Sequence, residues 1–290
     1  MQTRLTFIHA LSPLHAGTGQ GVDIIDLPIA REKATGIPFL PGSSLKGTLR
    51  DLCEESREIK AKVFGPEKDN ASDHAGAIVF SDQRLLLLPV RSLAGTFAWV
   101  TSPYLLYRLV RDAANAGSDN WPGIPEPANH AECFVTDGNS KIVMQKVYLE
   151  ELDLNAKQHS DAAKWAEALG AQIFPQQAEW QAALNARFCI VHDDLLGFLL
   201  DTATEITARI KMQTDAKTVE RGGLWYEESL PTETLMTGLA LSTPNEKTAL
   251  TDEQIFDVIA RIITRENVAL PMQFGGKATV GRGLCHVRLS

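Results

Sequence analysis

Three side chains near the start of the 290-residue sequence have types and spacing that suit acid–base or metal chemistry. Asp23 and Asp26 flank two isoleucines, and His15 precedes them by a few residues. A carboxylate can act as a general base or bind a divalent metal, and a histidine can act as acid, base or hydrogen-bond donor. Each also has an ordinary structural use, because a loop aspartate often forms an Asx turn or caps a helix. The residue types alone leave both interpretations open.

A turn of small residues at positions 41–44 opens a basic segment that carries Lys46 and Arg50. Ser43 and Ser44 lie where they can cap a helix, and the first turn of a helix presents free backbone N–H groups. Such a start suits a phosphate group. The alternative is an ordinary surface helix whose cations form salt bridges; the open turn favours phosphate.

Glycines at positions 17–21 follow the first predicted strand with the spacing GxGxG, which includes Gly17 and Gly19. A dinucleotide fingerprint needs GxGxxG leading directly into a helix, and a P-loop needs a terminal Gly-Lys-Ser/Thr. Neither pattern is present, so the sequence argues against both classes of nucleotide-binding protein. The cluster is compatible with a loop that contacts a ligand closely and equally with a flexible turn.

Two further segments combine glycine with aromatic or basic residues. Trp225 and Tyr226 follow a pair of glycines, and Lys277 and Arg282 lie in the glycine-rich loop 274–283. Aromatic rings can stack on nucleic-acid bases, and cations on a flexible loop suit a phosphate backbone. Core packing of the aromatics and a plain glycine-rich turn are the alternatives. Polar neighbours on both sides favour exposure of at least one ring.

The composition is that of a globular protein, with 44% hydrophobic and 22% charged residues. The net charge of −8 argues against non-specific binding to nucleic acid, although a local basic face is compatible with an acidic body. The sequence contains neither a secretion signal nor an apolar run long enough to span a membrane. Scattered cysteines argue against a zinc site and indicate the reduced thiols of a cytoplasmic protein: Cys53, Cys133, Cys189 and Cys285.

Hydrophobic periodicity predicts strands and helices without regular β–α alternation, which favours an α+β fold. We predict strands at about 5–11, 77–90, 141–154, 204–212, 234–241 and 284–289, and helices at about 43–59, 102–113, 160–186, 193–200 and 252–264. Residues 90–200 are interpreted as an insertion into a smaller β-α-β-β-α-β-like core.

Several segments together resemble one known family. They are the glycines at 17–21, IDLPIAR at 25–31, TGIP at 35–38, GSSLKG at 42–47 with Arg50, GGLWYEE at 222–228 and the terminal glycine-rich loop. In this combination the chain resembles the repeating backbone subunit of the type III-B CRISPR (Cmr) effector complex, of the RAMP superfamily. The resemblance runs from end to end.

The resemblance implies a single RAMP domain over residues 1–290. Its fold would be a modified ferredoxin-like (RRM-like) palm with helical fingers and a β-hairpin thumb at about 212–232. Copies of the chain would stack along a guide (CRISPR) RNA with other Cmr complex subunits. They would cut single-stranded target RNA at regular intervals, with a divalent metal, Mg²⁺ or Mn²⁺, required.

By the same resemblance Asp26 is the residue needed for cutting and the metal-binding candidate, with His15 beside it. Glu227 is a further active-site candidate, supplied across a subunit boundary. Residue types and resemblance together predict the RNA-binding residues: Gly17, Gly19, Ser43, Ser44, Lys46, Arg50, Trp225, Tyr226, Lys277 and Arg282.

The expected reaction is in-line attack of a ribose 2′-OH on its own phosphodiester, which leaves a 2′,3′-cyclic phosphate and a 5′-OH. A purely architectural RNA-binding subunit is the first alternative, and an unrelated enzyme of phosphorylated metabolites is the second. The first alternative predicts that cleavage survives Asp26→Ala. Retention of the chain on long RNA but not on nucleotides would exclude the second.

Overall fold

A computed structural model describes residues 1–17, 19, 25–66, 75–138, 140–213, 218–243, 249–266 and 268–290. Asp23 and the glycine at position 21 therefore lie outside the described residues. Within these ranges the strands are β1 (Thr3–Ala10), β2 (Phe39–Leu40), β3 (Ile78–Phe80), β4 (Gln83–Arg91), β5 (Phe97–Thr101), β6 (Glu132–Val135), β7 (Val147–Leu149), β8 (Leu152–Gln158), β9 (Phe188–Val191), β10 (Glu205–Met212), β11 (Val219–Ser229), β12 (Leu235–Ser242), β13 (Thr264–Arg265), β14 (Val268–Ala269), β15 (Pro271–Gln273) and β16 (Leu284–Leu289). The helices are α1 (Gly42–Leu52), α2 (Arg57–Phe64), α3 (Pro103–Asn115), α4 (Ser160–Ile173), α5 (Ala178–Arg187), α6 (Asp193–Thr202) and α7 (Asp252–Ile263).

Twelve strands form one mixed sheet in the order β15-β16-β1-β12-β4-β5-β9-β6-β8-β7, with β2 added to β4 and β3 added to β12. The pairs β5–β9 and β6–β8 are parallel, and the other pairs in this sheet are antiparallel. Strand β1 lies between β12 and β16. Phe7 is opposite Thr237 of β12 on one side and Arg288 of β16 on the other. The predicted α+β class is confirmed.

Helix α7 shows why the helices pack on this sheet. Its apolar residues recur at helical spacing, and Ile255, Phe256 and Ile259 are fully buried. Thr251 and Gln254 form a reciprocal capping box at its start. The buried side chains divide into two clusters, one containing α7 and one around Trp99 and Trp165.

The helix predicted at about 43–59 is two helices. Helix α1 ends at Leu52, and α2 begins at Arg57 with the Ser56 side chain accepting the Ile59 N–H. The predicted serine cap of α1 is also wrong, because Pro41 is the N-cap residue. Packing sets this start: a Cβ on Gly42 would lie 2.2 Å from the Phe80 carbonyl oxygen, so the helix begins directly against β3.

The region 90–200 is continuous with the sheet, since β5 to β9 extend it beyond β4. The strand predicted at 141–154 is instead the hairpin β7–β8, which turns at Glu150 with a φ of 48°. The helix predicted at about 160–186 is two helices, α4 and α5, separated by a break around Pro175.

Strands β10 and β11 form a separate two-stranded hairpin, with Ala208 opposite Tyr226, and neither pairs with another named strand among the described residues. The two strands of this hairpin cover residues 205–212 and 219–229, and the thumb predicted at about 212–232 stays a prediction. The alternating residues of β10 belong to the hairpin rather than to the main sheet. One face exposes apolar side chains, including Ile206, Ile210 and Leu224.

All four cysteines are buried free thiols, as their scattered spacing predicts. No helix among the described residues is both long and apolar enough to cross a bilayer.

Candidate active site at the base of the hairpin

Asp26 lies beside the hairpin strand β11. Its Oδ2 atom accepts the backbone N–H of Tyr226 at 2.8 Å, and its side chain is exposed. Among the described residues no donor is bonded to Oδ1. Asp26 therefore presents one carboxylate oxygen while the other is fixed by the hairpin backbone.

The segment after Asp26 runs parallel to β11. Leu27 donates its N–H to the Tyr226 carbonyl oxygen at 3.1 Å, and Glu228 donates its N–H to the Leu27 carbonyl oxygen at 3.0 Å. Further along, Ile29 donates its N–H to Glu228 Oε2 at 3.0 Å, and Arg31 pairs with Glu228 Oε1 at 2.6 Å. These contacts fix the segment that begins at Asp26 against β11.

His15, which follows β1 in the chain, is buried against β11. Its Nδ1 lies 2.6 Å from the Glu228 carbonyl oxygen, and since a carbonyl only accepts, Nδ1 carries the proton. The other ring nitrogen faces Gly17, where a Cβ would lie 2.6 Å from Nε2. Gly17 thus makes room for the imidazole, which gives this glycine a structural role besides its predicted contact with RNA.

Glu227 points to the opposite side of β11 from Glu228, as alternation along a strand requires. Its carboxylate is 4% exposed and contacts three donors: Trp225 Nε1 at 2.8 Å, Lys277 Nζ at 2.9 Å and Arg209 Nε at 3.2 Å. Burial alone would raise the pKa of Glu227, but hydrogen bonds from Lys277, Trp225 and Arg209 outweigh burial and lower the pKa to about 2. Within its own chain, Glu227 ties the hairpin to the glycine-rich loop.

This pairing predicts a pH dependence of stability. Because the pKa of Glu227 falls from its ordinary 4.5 to about 2 on folding, its ionised form stabilises the fold above pH 4.5, and this contribution is lost as the pH falls toward 2. Glu227→Gln is expected to lower the free energy of unfolding by about 2–3 kcal/mol at pH 7, with a smaller difference from wild type at pH 3. Urea unfolding at both pH values checks this, with the exposed Glu167→Gln as control. A pH-independent difference would contradict the assignment.

The aromatic and basic residues predicted to bind RNA gather at the same place. Trp225 is half-buried, Tyr226 is 39% exposed, and the Lys277 ammonium lies 6.0 Å from the Trp225 ring centroid. Arg282 contacts Glu205 Oε2 and Thr207 Oγ1 of β10, each at 3.3 Å. Both cations are therefore paired within the chain, and their role toward RNA stays a prediction, as does that of the exposed Gly19.

The α1 residues form a second group. Lys46 Nζ donates to the Ile78 carbonyl oxygen at 2.8 Å, and Arg50 donates to that of Pro66 at 3.1 Å. Burial, and then Arg50, lower the pKa of Lys46. Ser43 is exposed and Ser44 half-buried, while Asp82 accepts the Gly42 N–H at 2.9 Å. A carboxylate therefore already accepts one N–H of the predicted phosphate site. Among the described residues, no contact joins α1 to Asp26.

A metal site built by protein ligands alone is absent from the described part of the chain, where no three His, Cys, Asp or Glu side chains gather as ligands. Asp26 offers a single carboxylate. Mg²⁺ commonly binds one or two carboxylates together with waters and substrate phosphates, so this donor set fits a cation shared with RNA.

Sequence reasoning gave no role to Glu228, Arg31 and Arg209. The signal was present in the adjacent glutamates of GGLWYEE, because alternation in a strand directs the two carboxylates to opposite faces. The residues that pair with these glutamates could not be predicted from the sequence pattern. Arg31, for example, lies 197 positions from Glu228.

Comparisons with known proteins identify the family to which the chain belongs. The RAMP superfamily model matches residues 7–286. The chain is 35% identical over 297 aligned residues to the CRISPR system Cmr endoribonuclease Cmr4 of Pyrococcus furiosus, covering 100% of this chain and 96% of that protein. The crystal structure of oligomeric Cmr4 from Pyrococcus furiosus has a TM-score of 0.77 and 30% identity, covering 100% of this chain and 98% of that one. A chain of the type III-B Cmr-beta complex bound to cognate target RNA has a TM-score of 0.74 at 22% identity over 100% of this chain and 97% of that one, which shows a shared fold. With nearly its whole length matched by the family model and a full-length relative above 30% identity, the chain belongs to the RAMP superfamily and, within it, to the Cmr4 family.

Proposed function

We propose that this chain is the backbone endoribonuclease subunit of a type III-B CRISPR effector complex. Several copies bind along a guide RNA and cut the paired single-stranded target RNA at regular intervals. The name of the 35%-identical relative, a Cmr endoribonuclease, supports the reaction class. In the structure, the observation that supports it is Asp26, an exposed carboxylate anchored to the hairpin backbone.

In this proposal the sheet around β1, β12 and β16 with helix α7 is the RRM-like palm. The helical region between α3 and α6 corresponds to the fingers, and the hairpin β10–β11 is the thumb. A two-stranded hairpin that pairs with no strand of the main sheet is suited to insertion between a guide and its target. Duplex RNA holds the 2′-OH out of line with the scissile bond, so local splaying of the target is needed for cleavage.

The proposed reaction is an internal transfer within the target RNA. The ribose 2′-oxygen forms a bond to the adjacent phosphorus while the bond from phosphorus to the 5′-oxygen breaks. Asp26 accepts the 2′-hydroxyl proton directly or holds the cation that promotes its loss. The Nδ1 proton of His15 is donated to the Glu228 carbonyl oxygen, so only Nε2 is available toward RNA. Nε2 would accept a proton when the ring is neutral, and would act as acid or donor when both ring nitrogens are protonated. The 5′-oxygen leaves as a hydroxyl after taking a proton from the imidazolium form of His15 or from water, and the upstream fragment ends in a 2′,3′-cyclic phosphate.

A divalent cation, Mg²⁺ or Mn²⁺, would be held by Asp26 together with RNA phosphate oxygens. When bound, it would stabilise negative charge on the phosphate and lower the pKa of a nearby hydroxyl. A single protein carboxylate predicts weak affinity and a need for millimolar metal.

The proposed partners are guide RNA, target RNA, further copies of this chain and the other Cmr subunits. Lys46 and Arg50, with Ser43 and Ser44, would contact the guide backbone. Trp225, Tyr226, Lys277 and Arg282 would contact RNA near the hairpin, with Gly17 and Gly19 in the adjacent loop.

Reconstitution of the complex with 5′-labelled target RNA and Mg²⁺ tests the proposal. We expect evenly spaced cuts that require this chain, with 2′,3′-cyclic phosphate on the labelled fragments and 5′-OH on their partners. Ends with a free 3′-OH would exclude attack by the 2′-hydroxyl. An assembled complex that binds target without cutting it would leave the chain as an architectural subunit.

A further inference from the structure

Glu228 has a buried carboxylate with both oxygens bonded to the segment that follows Asp26. Its side chain is 4% exposed, Oε1 lies 2.6 Å from the Arg31 guanidinium, and Oε2 accepts the Ile29 N–H at 3.0 Å. A carboxylate this deeply buried is stable only if it is paired and hydrogen-bonded, and Glu228 meets both conditions.

The backbone of Glu228 contacts His15 and the residue that follows Asp26. Its N–H donates to the Leu27 carbonyl oxygen at 3.0 Å, next to Asp26, and its carbonyl oxygen accepts from His15 Nδ1 at 2.6 Å. One residue of β11 therefore makes four hydrogen bonds that fix the Asp26 segment and the His15 ring together.

Arg31 connects Glu228 to the rest of the fold. Besides Glu228, its guanidinium donates to the Gly36 carbonyl oxygen at 3.0 Å and to the Leu200 carbonyl oxygen of α6 at 2.8 Å. The hairpin base, the Asp26 segment and α6 thus meet at a single ion pair.

We propose that Glu228 is the positioning residue of the RNA-cleavage site: it acts through Asp26 and His15, and does not itself touch RNA. The inference rests on the proposed function, since it gives Glu228 a role only if Asp26 takes part in cleavage. Cleavage requires the attacking oxygen and its base to be aligned, and a displacement of about 1 Å can cost on the order of 100-fold in rate.

Single-turnover cleavage by the reconstituted complex, with saturating guide and target RNA, tests this role. Glu228→Ala removes both acceptors and is expected to slow cleavage roughly 10- to 100-fold with target affinity unchanged. Glu228→Gln keeps an acceptor for the Ile29 N–H and loses only the charge facing Arg31, so it is expected to recover part of the rate. If Glu228→Ala fails to assemble, Glu228→Gln carries the test, with the same separation of rate from affinity expected.

Asp112→Asn is the matched control, because Asp112 is an equally buried carboxylate that pairs with Arg84 and Arg111 away from the hairpin. It is expected to lower stability and leave the cleavage rate unchanged. Equal slowing by Asp112→Asn, or loss of target affinity in step with rate, would overturn the positioning role. If Glu228→Ala cleaves at the wild-type rate while Asp26→Ala is inactive, the positioning role is overturned and the proposed function stands. Wild-type cleavage by Asp26→Ala would overturn the proposed role of Asp26 and the positioning role with it.

Discussion

Exchanging Asp26 for asparagine is expected to slow target-RNA cleavage at least about 100-fold, the lower end of what a general base contributes. Asparagine keeps an oxygen that can accept the Tyr226 N–H, so the segment stays in place. It loses the negative charge that accepts a proton or attracts a cation. Target affinity is expected to be equal or slightly higher, because the substitution removes a charge of the same sign as RNA. Single-turnover cleavage and filter binding with the reconstituted complex measure the two quantities separately.

Asp193→Asn is the control for this substitution. Asp193 is also exposed and also accepts the backbone N–H of a tyrosine, Tyr104, at 2.9 Å, but lies on α6. It is expected to cleave at the wild-type rate. A cut ladder that persists in Asp26→Asn would move the chemistry to another residue or another subunit and leave this chain as a scaffold.

The helices that periodicity predicted well are those whose ends are fixed by their own residues. Helix α7 begins at the Thr251 capping box, and α3 begins with Pro103 at its first turn. Helix α1 shows the limit of such reasoning: two serines offered a cap, yet tertiary packing of Gly42 against Phe80 sets its start. The break at residues 53–56 was not predicted either, because its local signal is a single residue, the N-cap Ser56 of α2.

The candidate site depends on contacts between distant parts of the chain. Periodicity places Asp26 in a loop and Tyr226 in a strand, but not the hydrogen bond that joins them across 200 positions. The resemblance to RAMP backbone subunits singled out Asp26, His15 and Glu227, which the structure brings to one strand. The resemblance did not distinguish the roles of the neighbouring residues Glu227 and Glu228. The burial of Glu228 and the three donors around Glu227 arise only in the folded chain.

Replacing Gly275 with alanine is expected to lower the free energy of unfolding by about 2–4 kcal/mol, from a left-handed backbone strain and a steric overlap together. Gly275 has a φ of +72°, and a Cβ there would lie 2.3 Å from the His15 carbonyl oxygen. The obstructing atom is backbone, so no side-chain rotation relieves the overlap. Its displacement would also break the hydrogen bond from the Gly276 N–H to the same oxygen, now 2.9 Å long. Chemical denaturation followed by circular dichroism measures the loss.

Gly281→Ala separates the two causes. Gly281 belongs to the same loop and has a φ of +79°, yet a Cβ there would have no heavy atom within 4 Å. It should therefore carry only the backbone cost, about 1 kcal/mol. The excess in Gly275→Ala then measures how firmly the glycine-rich loop is seated against His15. This loop also places Lys277 beside Glu227, so a large excess in the loss of unfolding free energy would mean that the loop helps to hold the hairpin base. Equal losses in the two variants would show that the loop moves away from His15 at little cost.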